Sequence, residues 1–151
     1  MSLSHDEGAQ EKAEALLREF CLRFQLDTSG NFPFFLTVDS FQVALEFDSS
    51  RDMLFITVPM GDVAEEPAGL FRELLYANLF RHASCGAVFC LDGVSGRVVV
   101  QAELSLSEMT WEVLKKRLEG CIQAAENWRN RLSPSFREEQ PFCPTDTMIR
   151  V

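Results

Sequence analysis

The chain has 151 residues, a net charge of −9 and 46% hydrophobic residues. That length predicts one domain with a sizeable core. The acidic balance argues against nucleic acid and anionic membrane surfaces, and no apolar run approaches the roughly 20 residues that span a bilayer. Met1 to Gln10 is polar and acidic, which is not the pattern of a signal peptide. A soluble cytoplasmic protein is expected, its acidity serving solubility or a basic partner.

Helix one is expected from about Asp6 to Gln25, with Ser4 and Glu7 spaced as a capping box. Ala9, Ala13, Leu16, Leu17, Phe20 and Phe24 recur at helical spacing. Asp27-Thr28-Ser29-Gly30-Asn31 breaks the chain. Three strands follow: Phe34–Val38, then Phe41–Asp48 after an Asp39-Ser40 turn, then Met53–Val58 after Ser49-Ser50-Arg51-Asp52. In the second, Phe41, Val43, Leu45 and Phe47 alternate with Gln42, Ala44, Glu46 and Asp48, the mark of a half-buried strand.

Helix two is expected from Pro67, a favoured first helical position, to Arg81. Leu70, Phe71, Leu74, Leu75, Tyr76, Ala77, Leu79 and Phe80 cover more of its circumference than a surface helix needs. Such a helix requires cover on more than one side, and in a small domain a second subunit supplies it. Strands four (Ala87–Asp92) and five (Arg97–Leu104) flank a Gly93-Val94-Ser95-Gly96 turn. Helix three follows a second capping box, Ser105 and Glu108, with Leu114, Leu118, Cys121, Ala125, Trp128 and Leu132 on one face. Pro134 stops it. The order α-β-β-β-α-β-β-α predicts an α+β fold, a twisted, mainly antiparallel sheet flanked by helices. Residues 1–132 form the domain and 133–151 an irregular C-terminal tail.

No residue set for chemistry emerges. The five cysteines (Cys21, Cys85, Cys90, Cys121, Cys143) are odd in number and lack C-x-x-C spacing, so no disulfide framework is expected. His82, Cys85 and Cys90 lack the fourth ligand of a structural zinc site. Cys85 beside His82 has no orienting third group. Glu65-Glu66 and Glu138-Glu139 read as solvated charge, and no glycine run opens a helix as a phosphate loop does. The chain is expected to be no enzyme and to need no cofactor. The remaining signal is a surplus of phenylalanine, 13 against one tyrosine. Phe32, Phe34, Phe35, Phe55 and Met53 either fill the core or leave one sheet face or edge apolar for a partner segment, with strand addition as the natural mode.

From about Ala13 to Leu132 the chain resembles the type III secretion chaperones of the CesT (Tir chaperone) family, the class I effector chaperones. The resemblance rests on the element order, on Leu74-Leu75-Tyr76-Ala77-Asn78-Leu79 before a glycine-bearing strand, on Val99-Val100-Gln101 and on Ala125-Glu126-Asn127-Trp128. It implies a bacterial cytosolic homodimer that acts without ATP. It would hold the N-terminal segment of a secreted effector in extended, secretion-competent form, using grooves on helix one and the first three strands. Carried over to this sequence, Leu74, Leu75, Asn78 and Leu79 belong to the dimer interface, and Phe34, Leu36, Met53 and Phe55 to the cargo surface. A second reading is a regulatory adaptor that sequesters a cytosolic regulator of type III secretion.

Overall fold

The structure, a computed structural model, describes residues 3–27, 31–61, 68–81 and 86–129. The elements are α1 (Leu3–Arg23), β1 (Phe34–Val38), β2 (Phe41–Asp48), β3 (Met53–Gly61), α2 (Ala68–Ala77), β4 (Val88–Leu91), β5 (Val98–Ser105) and α3 (Trp111–Arg129). Short 3-10 turns occupy Leu79–Arg81 and Leu106–Glu108. The five strands form one open antiparallel sheet in the order β1-β2-β3-β5-β4. This is the α-β-β-β-α-β-β-α order expected from the sequence.

Alternation sets which side chains meet the helices. One row across the sheet pairs Phe34 with Leu45, Leu45 with Ile56 and Ile56 with Ala102, and all four are buried. The next residue along each strand faces the other way, giving the row Phe35, Ala44, Thr57, Gln101 and Val88. Phe35 is 60% exposed there. A one-residue step in a strand changes the face of the side chain.

The core row packs against α3, which buries Leu114, Leu118, Cys121, Ile122, Ala124, Ala125 and Trp128, and against Ala13, Leu17, Phe20 and Cys21 of α1. Much of the phenylalanine surplus is core. Phe34 meets Phe32 edge-on at 5.0 Å, and Phe32 stacks on Phe47 at 5.7 Å. Phe89 packs on Trp128 at 5.0 Å.

The turns follow their side chains. Asp39 and Ser40 link β1 to β2 with φ of 48° and 73°. Positive φ at both central residues is the type I′ geometry that suits a two-residue hairpin. In the β2–β3 turn, Asp48 accepts hydrogen bonds from the Ser50 amide at 3.0 Å and from Arg51 Nε at 2.8 Å. In the β4–β5 turn, Asp92 accepts from the Val94 amide at 3.0 Å and from Ser95 Oγ at 2.7 Å.

Several boundaries differ from the sequence reading. α1 begins at Leu3, so Ser4 lies inside the helix rather than capping it, and it ends at Arg23 rather than Gln25. β3 runs on to Gly61, beyond the expected Val58. α2 stops at Ala77, and Phe80 and Arg81 then adopt φ of 59° and 56°. The Ser105–Glu108 pattern yields only the 3-10 turn, where Ser105 makes no side-chain cap bond. α3 starts later and is capped by Thr110, whose Oγ1 accepts from the Val113 amide at 3.2 Å. Pro67, His82, Cys85, Leu132 and the 133–151 tail lie outside the described residues.

Thr110→Ala should lower stability by about 1 kcal/mol, the usual cost of an N-cap. Ser105→Ala should cost less than about 0.5 kcal/mol, as a surface change does. Urea midpoints of the two variants check this order. A second expectation concerns acid. Hydrogen bonds from Ser50 and then Arg51 bring the Asp48 carboxyl from its ordinary 3.8 down to about 2. A folded-state value below the unfolded one stabilises above the unfolded value and is lost as pH falls through the folded one. The Asp48 contribution is therefore full above pH 3.8 and disappears near pH 2. Carboxyl-detected NMR titration should place the Asp48 midpoint near 2, and Ser50→Ala should raise it.

Candidate protein-binding site

α1 and α3 together do not close over the β1 end of the sheet. A groove of about 400 Å³ remains between the end of α1, the β1–β2 turn and the middle of α3. Phe20, Leu118 and Ile122 are its buried floor, and Phe24, Leu26 and Val38 are half-buried walls. Asp39, Lys115, Glu119, Gln123 and Glu126 form an exposed rim. The α1 wall is held in place: Phe24 packs on Trp111 at 6.1 Å, and the Arg23 guanidinium lies 4.2 Å above the Trp111 ring. The groove adjoins β1, an edge strand whose outer side pairs with no strand among the described residues. Apolar side chains and unpaired backbone groups are thus offered side by side.

The second apolar surface is the outer side of α2 and the turn after it. Leu70, Leu74 and Ala77 face the core. Leu75 is 71% exposed and Phe80 75%, with Tyr76, Leu79 and Leu91 about half exposed. Asn78 fixes this segment to β4: its side-chain amide donates to the Phe89 carbonyl at 3.0 Å, and its carbonyl accepts from the Phe89 amide at 2.7 Å. Both backbone groups of one edge residue are satisfied by one side chain.

Of the residues assigned to a dimer interface from sequence, Leu75 and Leu79 are exposed, Leu74 is in the core and Asn78 is occupied by Phe89. Of those assigned to a cargo surface, Phe34 and Leu36 are 0% and 2% exposed, inside the core. Met53 and Phe55 are half-buried on the opposite sheet face, where Arg51 covers the Phe55 ring at 5.2 Å. Register decides these placements. Phe34-Phe35-Leu36 is apolar throughout, and pairing with Leu45 turns Phe34 inward and Phe35 outward. The groove joins helix one and the end of β1, where a groove is expected, to α3, which the sequence reading does not include. Its signal in the sequence is Ile122, an apolar residue outside the main stripe of α3.

Cys21 and Cys121 are buried, and burial pushes the half-buried Cys90 thiol up. Asp92 titrates below its ordinary range because Ser95 and the Val94 amide bond its carboxylate. Local turn geometry and burial account for these shifts. Among the described residues no group of three His, Cys, Asp or Glu side chains is placed to hold a metal, and no helix is long and apolar enough to cross a membrane.

The described residues thus combine an open antiparallel sheet, an apolar groove, an edge strand with no outer partner strand and an apolar helix face. The model of the Tir chaperone protein (CesT) family matches residues 14–129, and the chain belongs to this family of type III secretion chaperones. Among solved structures it is similar to a chain of the ExsC–ExsE complex, at 24% identity over 82% of this chain and 95% of that one, with a TM-score of 0.67. It is also similar to a chain of the HopA1–SchA chaperone–effector complex, at 19% identity over 78% and 93%, with a TM-score of 0.64. A chain of the heterodimeric ExoU–SpcU complex from the type III secretion system of Pseudomonas aeruginosa matches at 18% identity over 77% and 97%, with a TM-score of 0.63. At these identities the likeness is one of fold. Comparison with curated proteins gives no match.

Proposed function

We propose that this chain is a cytoplasmic chaperone that holds the N-terminal segment of a secreted effector extended for type III export, as a homodimer and without ATP. The observation that carries the reading is the apolar groove beside the free edge of β1. Complexes of chaperone-like folds with effectors among the structural relatives support it.

The energetics favour an extended ligand that is apolar at about every second residue. Ordering a disordered segment costs roughly 1–2 kcal/mol per residue. Burying one large apolar side chain returns about 1.5–3 kcal/mol, and one backbone hydrogen bond along β1 about 1 kcal/mol. Alternating side chains into the groove, with strand pairing to β1, therefore roughly offsets the ordering cost. Release needs no hydrolysis, because the margin is small and the export machinery can compete for the segment.

The exposed side of α2 supports the dimer. Leu75, Tyr76, Leu79 and Phe80 lie on one short stretch, and a two-fold pairing would bury them against their own copies. The interface is then Leu75 and Leu79 with Tyr76 and Phe80, while Leu74 and Asn78 support it from inside.

Two measurements test this. Light scattering of the purified 17.1 kDa chain should give twice that mass, and Leu75→Glu should give monomer or aggregate. A wild-type monomer at micromolar concentration would remove the dimer. Pull-down from the native host should recover a secreted protein through its N-terminal region. Recovery of a folded cytosolic regulator instead would replace the chaperone reading with that of a regulatory adaptor.

A further inference from the structure

We infer that Asp39 and Glu126 make the groove selective for segments that carry Lys or Arg beside their apolar residues. The inference rests on the groove being the binding site for an unfolded segment of another protein.

The floor of the groove is indifferent to sequence. Phe20, Phe24, Leu118 and Ile122 accept any apolar side chain that fits. Discrimination falls to the rim, whose ionisable members are Asp39, Lys115, Glu119 and Glu126. Two of these neutralise each other: Lys115 Nζ lies 3.6 Å from Glu119 Oε1. Lys115 is further held over the Phe24 ring at 5.7 Å. Asp39 and Glu126 make no ion pair among the described residues. The neighbouring cation, Arg129, is engaged by the Phe41 ring at 5.0 Å and Ser40 Oγ at 3.4 Å, and makes an ion pair with neither carboxylate. Gln123 is tied to Asn127 at 2.9 Å. The rim therefore presents two uncompensated carboxylates on a chain whose net charge is −9.

A bound segment with an acidic residue at this position meets like charge on both sides. One with Lys or Arg gains an ion pair at the mouth of an apolar site, where water is partly excluded and the pair is worth more than at a flat surface. Charge on the rim also raises the encounter rate with cationic segments. The groove thus reads hydrophobicity at its floor and charge sign at its rim.

The test uses the full-length chain and two synthetic peptides with identical apolar spacing, one bearing Lys and one bearing Glu at the intervening positions. Fluorescence polarisation should show tighter binding of the Lys peptide. In the double variant Asp39→Asn, Glu126→Gln that preference should fall about tenfold, the product of roughly threefold for each of two exposed ion pairs. The difference should shrink at high salt, where screening acts within about 3 Å. Both substitutions keep shape, and asparagine tolerates the left-handed backbone at position 39. Equal binding of both peptides to the wild type, or an unchanged preference in the double variant, would overturn the inference. So would the failure of the Lys peptide to bind. Ile122→Glu separates this from the chaperone reading. Peptide capture that survives it leaves a chaperone whose cargo binds elsewhere, and only the groove selectivity falls. A change of oligomeric state in that variant would mean a second copy occupies the groove, which also ends the proposal.

Discussion

The contact on which the structure depends is the packing of α3 across β3 and β5. These two central strands share the longest ladder in the sheet, from Met53–Ser105 to Gly61–Val98. Their inward residues Leu54, Ile56, Val58, Val100, Ala102 and Leu104 are almost wholly buried. A sheet with one apolar face is unstable in water until another element covers it, and α3 is long enough to do so. Its two tryptophans extend the grip outward. Trp111, at the first residue, meets Phe24 of α1, and Trp128, near the last, meets Phe89 of β4. Arg129 then reaches the β1–β2 turn through Phe41 and Ser40.

This economy has a cost in coverage. One helix placed over the middle leaves the β1 end to α1, and α1 is not wide enough to meet α3 along its whole length. The groove is the remainder. α2, docked by its Leu70, Leu74 and Ala77 side, leaves Leu75 exposed, and Phe80 after it is exposed too. The surfaces assigned here to partners are thus the places where three helices fall short of enclosing five strands. A chain selected only for its own stability would have filled them. The net negative charge opposes indiscriminate association through this exposed apolar area.

How far the sequence discloses this depends on the kind of interaction. β1 and β2 are legible to the residue, because alternation in Phe41–Asp48 and the Asp39-Ser40 turn are local signals. The facing of β1 is not, since Phe34, Phe35 and Leu36 are all apolar and only pairing with Leu45 decides among them. The end of α2 is hidden for a related reason. Apolar residues continue past Ala77 to Phe80, but the chain turns at Asn78, whose amide is committed to Phe89, 11 residues away. The start of α3 misleads because two caps compete. Ser105 and Glu108 have the capping spacing, yet Ser105 is still the last residue of β5, paired with Met53, and the cap passes to Thr110. The groove is the least legible feature, being a gap among three elements rather than a property of any one.

The Asn78–Phe89 bond has a consequence for how copies of the chain can add to one another. An antiparallel sheet with two bare edges is a template at both ends, and like molecules can join edge to edge without limit. Here β1 is bare, but at β4 the outward peptide groups of Phe89 are taken by the Asn78 side chain. Backbone pairing at the β4 edge is therefore obstructed at Phe89. Copies that meet through β1 alone form a closed pair, whereas a growing row of copies would also have to use the obstructed β4 edge. The residue that ends a helix thereby also limits the polymer.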